Sequence, residues 1–412
     1  GLGDVYKRQA QTPFLFAGNQ NLRLPNGFNV ATNLNSNLNN FDLETERKRF
    51  GLGAAFMAKK YWKLDMSFHQ DNKDGTGQIG GAMANGTVAR VGNTTTSLLP
   101  KPIDYTTSLA DVSLSYTRDK AQLELAYNLS LFDNADNSLE WQDPFDPTRF
   151  GNQALEPDNE FHQVTLTGGY QLPYRSHLSG VFSVGRMKQD EDFEAYSTDP
   201  TISGALPRDD LDGEVWLTTG RIKLASRPLR KLRLSAEYVY NNRDNDTPSN
   251  TYNYVVADSF PEGFAVQNNP LSFTRNRVNT VVDYRFNSIT SLKGGYKYDR
   301  MSRNYENVDQ ERNRTREHSV FGKWKIRPHT TVNMAVYGEL GDRAGSDYKP
   351  LPNENTALRK YNLASRDRTK IGSSVEYSPL DRLSFVLTAD YIKDEFDNTE
   401  IGLTESERPS YT

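Results

Sequence analysis

Apolar residues recur at every second position in runs of about ten residues, and the runs come in pairs. Leu232, Leu234, Ala236, Tyr238 and Tyr240 alternate with Arg233, Ser235, Glu237 and Asn241. Leu123, Leu125, Tyr127, Leu129 and Leu131 alternate with Gln122, Glu124, Asn128 and Ser130 in the same way. Leu383, Phe385, Leu387, Ala389 and Tyr391 alternate with Ser384, Thr388 and Asp390. A period of two is that of a strand with one greasy and one wet face, not of a helix. Between the members of each pair lies a short turn: Ala58-Lys59-Lys60, Arg118-Asp119-Lys120, Pro173-Tyr174-Arg175, Arg227-Pro228-Leu229-Arg230, Asn287-Ser288-Ile289, Arg327-Pro328-His329 and Pro379-Leu380-Asp381. Between pairs run polar stretches rich in Asn, Asp, Gly and Pro, at 72–105, 132–158, 190–210, 244–270, 303–312 and 343–362.

Seven such hairpins predict about fourteen antiparallel strands. Strands of about ten residues suit a tilted membrane crossing better than a soluble sheet. Short turns on one side and long loops on the other are the signature of an outer-membrane β-barrel, turns periplasmic and loops outside. The fold class expected is therefore all-β: one large antiparallel transmembrane barrel in the bacterial outer membrane. Tyr61, Trp62, Tyr116, Tyr170, Trp216, Tyr284, Trp324, Tyr377 and Tyr391 fall near strand ends, as interfacial girdles require. The wet face would then line the lumen, and Glu124, Arg233, Glu237, Lys297, Lys323 and Asp390 are its candidate contact residues. An open sheet would leave backbone edges in lipid, so closure is expected to draw on further strands.

Composition narrows the chemistry. The chain has 412 residues, 36% of them hydrophobic, and no run of the roughly 20 apolar residues that a membrane helix needs. Mean hydropathy is -0.74, which a barrel tolerates because only alternate residues meet lipid. With 49 basic and 53 acidic residues the net charge is -4, which gives nucleic acid no basic footprint. There is no cysteine, so this chain offers no disulfide, thiolate metal site or c-type haem attachment. His69, His162, His177, His318 and His329 are scattered, without the spacing of a metal site, and read as ordinary strand or turn residues. Gly51-Leu52-Gly53 and Gly75-Thr76-Gly77 open no helix and are not phosphate cradles. Asp71-Asn72-Lys73-Asp74-Gly75 and Arg243-Asp244-Asn245-Asp246 lack the calcium-loop spacing and read as solvated tips. No catalytic constellation, bound cofactor or metal is expected. Residues 1–9, Gly-Leu-Gly-Asp-Val-Tyr-Lys-Arg-Gln, resemble translated adapter sequence and are set aside. Residues 10–412 are expected to be the central part of one barrel truncated at both ends, with a secretory signal upstream.

Several segments resemble the MtrB/PioB family of decahaem-associated outer-membrane proteins: Leu99-Pro100-Lys101-Pro102-Ile103-Asp104-Tyr105-Thr106-Thr107, Leu155-Glu156-Pro157-Asp158-Asn159, Gly185-Arg186-Met187-Lys188-Gln189-Asp190, Arg243-Asp244-Asn245-Asp246-Thr247, residues 358–369 and Ile401-Gly402-Leu403-Thr404-Glu405-Ser406. The resemblance runs from about residue 20 onward. It implies a barrel that sheathes a periplasmic-side decahaem c-type cytochrome for electron transfer across the outer membrane. The haem would belong to that partner, an outer-surface multihaem cytochrome would dock on the loops, and lipid and lipopolysaccharide would surround the wall. The alternatives are a general porin, which explains the strands but not these segments, and a soluble all-β enzyme, which would need a second sheet to cover the greasy face.

Overall fold

The computed structural model describes residues 6–18, 20–84, 94–198, 204–257, 260–305, 312–351, 354–380 and 382–412. Sixteen strands form one antiparallel sheet in chain order. The edge strand β1 (Tyr6–Thr12) is followed by seven hairpins. These are β2 (Asn39–Lys59) with β3 (Trp62–Ala84), β4 (Thr94–Arg118) with β5 (Ala121–Asn134), β6 (Asn159–Leu172) with β7 (Ser176–Gln189), and β8 (Gly213–Leu229) with β9 (Leu232–Asn245). Then come β10 (Leu271–Arg285) with β11 (Thr290–Tyr305), β12 (Arg314–His329) with β13 (Val332–Gly345), and β14 (Arg366–Leu380) with β15 (Leu383–Phe396); β16 (Glu405–Tyr411) forms the other edge. The fourteen strands expected from the alternation are all present, and β1 and β16 bring the sheet to sixteen. Residues 6–9, set aside above, pair with Asp42–Thr45 in β1. Residues 1–5 and Asp381 lie outside the described residues, as do 85–93, 199–203, 258–259, 306–311 and 352–353 of the expected loops.

The hairpins turn at the expected breaks or just beyond them: β8 runs on through Leu229 and turns at 230–231, and β12 runs on through His329 and turns at 330–331. At Pro173-Tyr174-Arg175 both Tyr174 and Arg175 adopt left-handed φ, 59° and 54°. That handedness matches the twist of the flanking strands, and it is why so short a turn closes the hairpin without splaying it.

Because side chains directly opposite share a face, the register fixes which residues stand together. Phe56, Leu64, Leu114, Leu125, Leu166 and Phe182 form one row across β2 to β7. Tyr284, Leu292, Trp324 and Val336 continue the same face from β10 to β13. Among the described residues nothing covers this face: Leu125 is 50% exposed, Ile222 57%, Val320 61% and Leu387 65%. An uncovered apolar surface of this extent belongs in a bilayer. Near the turn end it carries the expected aromatics, with Trp62 and Tyr116 rings 4.9 Å apart and Tyr284 edge-on to Phe286 at 5.0 Å.

Three expected loops prove to be structured. The stretch 72–105 is mostly strand, because β3 runs on to Ala84 and β4 begins at Thr94, so the pair projects as a long arm. Residues 138–142 pair with 150–154, and 251–257 with 260–267. The compact apolar core of the chain lies here, at the loop end, rather than within the sheet. Phe14, Leu22, Leu24 and Phe28 from the segment after β1 pack with Leu99 of the arm and with Leu139, Trp141 and Leu155. Ile79 and Leu99 oppose each other on the continuation of the wet face, so this cap leans over that face.

Candidate functional site

The wet face is where both signs of charge meet across many strands. Arg233, Asp283, Lys293, Lys323, Tyr337, Gly372 and Asp390 are successive partners from β9 to β15, so three of the six candidate residues, Arg233, Lys323 and Asp390, share one row. Two steps toward the loops, Glu237, Asn279, Lys297, Ser319, Gly341, Arg368 and Asp394 form a second row, which holds Glu237 and Lys297. Glu124 is on the same face but on β5, far from the others, where its carboxylate accepts from Ser115 Oγ at 2.9 Å. The structure therefore groups five of the candidates and leaves Glu124 apart.

Interlocked pairs join the rows. Lys323 Nζ sits 4.8 Å from the Tyr337 ring centre, Tyr337 donates to Asp390 Oδ1 at 2.8 Å, and Lys370 Nζ lies 3.6 Å from the same carboxylate. Tyr337 reaches Asp390 across β14 only because Gly372 stands between them. A Cβ there would fall 2.5 Å from Asp390 Oδ1 and as close to the ring. Next to this, Arg221 binds Glu237 and Lys297 binds Glu339, each at 2.8 Å, and Arg275 binds Asp299 at 2.5 Å. Arg221, Glu237, Arg277, Lys297, Asp299 and Glu339 line a hollow of about 500 Å³. At the loop end Asp394 has a side chain only 4% exposed and is held by Arg368 and Arg408, each at 2.7 Å, with Arg366 at 3.7 Å. Asp71 is held in the same manner by Arg47 at 2.6 Å and Arg49 at 2.7 Å.

The exposed pairs contribute little stability each, about 0–1 kcal/mol. Apolar side chains interrupt the charges: Val239, Val281, Phe321 and Ile392 stand on the same face, and Lys297 lies over the Phe321 ring at 4.9 Å. Sequence reasoning missed Arg221, Asp299, Glu339, Tyr337, Arg368 and Asp394. Counting alternate positions outward from each turn would have found them. Of the histidines, His69 packs beneath Gly51 on the wet face, while His162 and His318 lie on the apolar face, hydrogen-bonded to Tyr127 at 2.8 Å and Tyr296 at 2.5 Å. Among the described residues no group of three or more His, Cys, Asp or Glu could hold a metal ion.

A sheet apolar on one face, charged on the other, with short turns at one end and long loops at the other, is the wall of an outer-membrane β-barrel, here open between β1 and β16. All of the chain, residues 1–412, matches the family described as "Putative outer membrane beta-barrel porin, MtrB/PioB", and the protein belongs to that family. It is 33% identical over 420 residues to "Outer membrane protein MtrB" of Shewanella baltica (strain OS185), covering 98% of this chain and 57% of that relative, so it spans little more than half the relative's length. Solved structures that it resembles include a Pseudomonas aeruginosa FadL homologue (10% identity, 85% of this chain and 88% of the other, TM-score 0.31). The outer membrane transporter YddB from Escherichia coli is another (10% identity, 85% of this chain and 55% of the other, TM-score 0.41). The protein is located in the outer membrane.

Proposed function

We propose that this chain forms part of a barrel wall that embeds a decahaem c-type cytochrome from the periplasmic side and insulates it for electron transfer across the outer membrane. The haem belongs to the cytochrome, and the wall itself performs no redox step. The observation that carries this reading is the mixed lining. Val239, Val281, Phe321 and Ile392 alternate with fixed ion pairs, which suits contact with a folded protein surface, itself part apolar and part charged. The cap over the loop end of this face offers an outer-surface multihaem cytochrome a docking platform. A general porin is the second reading, favoured by the family's porin-like description.

Val281 and Val282 discriminate the two, since they are neighbours on opposite faces. With a photo-crosslinking residue at Val281 in the full-length natural protein, irradiation of outer membranes should give a haem-staining adduct, and at Val282 none. Absence of that adduct at Val281, with ordinary ion conductance, would establish the porin.

A further inference from the structure

On the loop side of the apolar face the strands become charged. Lys48, Arg186, Lys188 and Lys393 there each hold a carboxylate: Glu46 at 3.2 Å, Glu214 at 2.8 Å, Asp190 at 2.6 Å and Glu395 at 2.8 Å. Arg300 on β11 and Arg316 on β12 are different. They oppose each other directly, both are exposed, and among the described residues neither makes an ion pair. Arg314, the next residue on that face, opposes Ser302 and is likewise exposed. On this face of β13 Asp342 stands opposite His318, diagonal to Arg316, and among the described residues makes no ion pair with it.

Like charges directly opposite across an antiparallel pair repel, and an anion between the two guanidinium groups would relieve this. Asn276 faces Arg300 from β10, and its Oδ1 accepts from Tyr238 at 2.6 Å, which leaves its amide hydrogens to donate to such an anion. Turn-ward of the arginines lies an aromatic shelf, with the Tyr298 and His318 rings 4.9 Å apart. Beyond it come Val320 and Leu340, 61% and 64% exposed. The order is cation, aromatic ring, bare aliphatic surface, which complements a phosphate, a sugar and acyl chains in turn. Depth agrees: β12 runs from Arg314 to His329, so Arg316 stands 13 residues (329 − 316) from the turn end of the strand, just beyond the roughly 9–11 residues of one tilted crossing. With turns periplasmic, that is the outer leaflet.

We infer that Arg300, Arg316 and Arg314 bind the phosphate of a phosphorylated outer-leaflet glycolipid, lipopolysaccharide of the lipid A type, with its acyl chains lying over Val320 and Leu340. The site is independent of whatever occupies the wet face. The test uses the full-length natural protein in nanodiscs doped with lipid A or with dephosphorylated lipid A of the same acyl chains. Wild type should retain the phosphorylated lipid through detergent washing several-fold better than the dephosphorylated one. The double variant R300Q/R316Q should lose that preference, and R186Q should keep it. Equal retention of the two lipids by wild type, a comparison that needs no variant to fold, would overturn the site. Displacement of lipid A by millimolar inorganic phosphate would assign the arginines to a free anion and overturn the lipid.

Discussion

At the scale of single residues, the two faces of one strand have opposite tolerances. Leu125 is the fifth residue of β5, half of a roughly 9–11-residue crossing from the turn, opposite Leu114 and Leu166, and faces lipid, whereas its neighbour Glu124 faces the wet side. Leu125→Arg should cost about 2–4 kcal/mol, and Glu124→Gln should be mild, as read from folding equilibria in lipid. Equal costs would mean that the faces are misassigned. Leu234, which from sequence alone could be taken for a mid-bilayer position, is the third residue of β9, so an arginine there should cost only about 0–1 kcal/mol. Depth of this kind was not legible in the alternation, which gives the face but not the distance from the turn. Gly372 is another case: nothing local marks it, yet Gly372→Ala should push Tyr337 off Asp390. Tyrosine fluorescence or an isotope-edited spectrum of the Tyr337 hydroxyl checks this, and an unchanged hydrogen bond would contradict it.

The elements divide by what specifies them. The seven hairpins were legible because every strand must show lipid an apolar residue at each second position, and because the turns interrupt that period. The arm was not. Asp71-Asn72-Lys73-Asp74-Gly75 reads as a loop, but these residues pair in continuous register with Ile103–Thr107, so strand pairing rather than hydrophobic period holds them extended. The cap was hidden for a related reason, since Phe14, Leu22, Leu139 and Trp141 are isolated apolar residues in polar segments and meet only in three dimensions. One tie between cap and arm should respond to pH. Burial alone would raise the pKa of Glu156, but hydrogen bonds from Lys101, its own backbone and Tyr105, with the charge of Lys101, hold it below the ordinary carboxylate value. A depressed folded pKa means that the tie is intact above the unfolded value of about 4.3 and is lost as pH falls through the folded one. Hydrogen exchange at 135–158 should accelerate in that acid window and not between neutrality and pH 5; faster exchange already near neutrality would refute the assignment.

Across the whole molecule, the placement of greasy and charged surface is inverted relative to a soluble sheet. The apolar face is bare, the charged face is interlocked, and the compact apolar core is a cap at one end. That inversion was legible in the sequence as far as the choice of a membrane barrel. What the wet face encloses was not, because periodicity records which side a residue is on and nothing about what stands opposite it. The five grouped candidate residues, joined by Tyr337, Asp394 and the arginines around it, form a wall in which many charges are paired and Val239, Val281, Phe321 and Ile392 are half-buried among them. Under the proposed function this wall meets the surface of a folded protein. The most direct test is to purify the full-length natural protein from detergent-solubilised outer membranes and stain whatever accompanies it for haem. A stoichiometric multihaem cytochrome is the predicted result; its reproducible absence, with ion conductance in planar bilayers, would contradict the sheath and leave a porin.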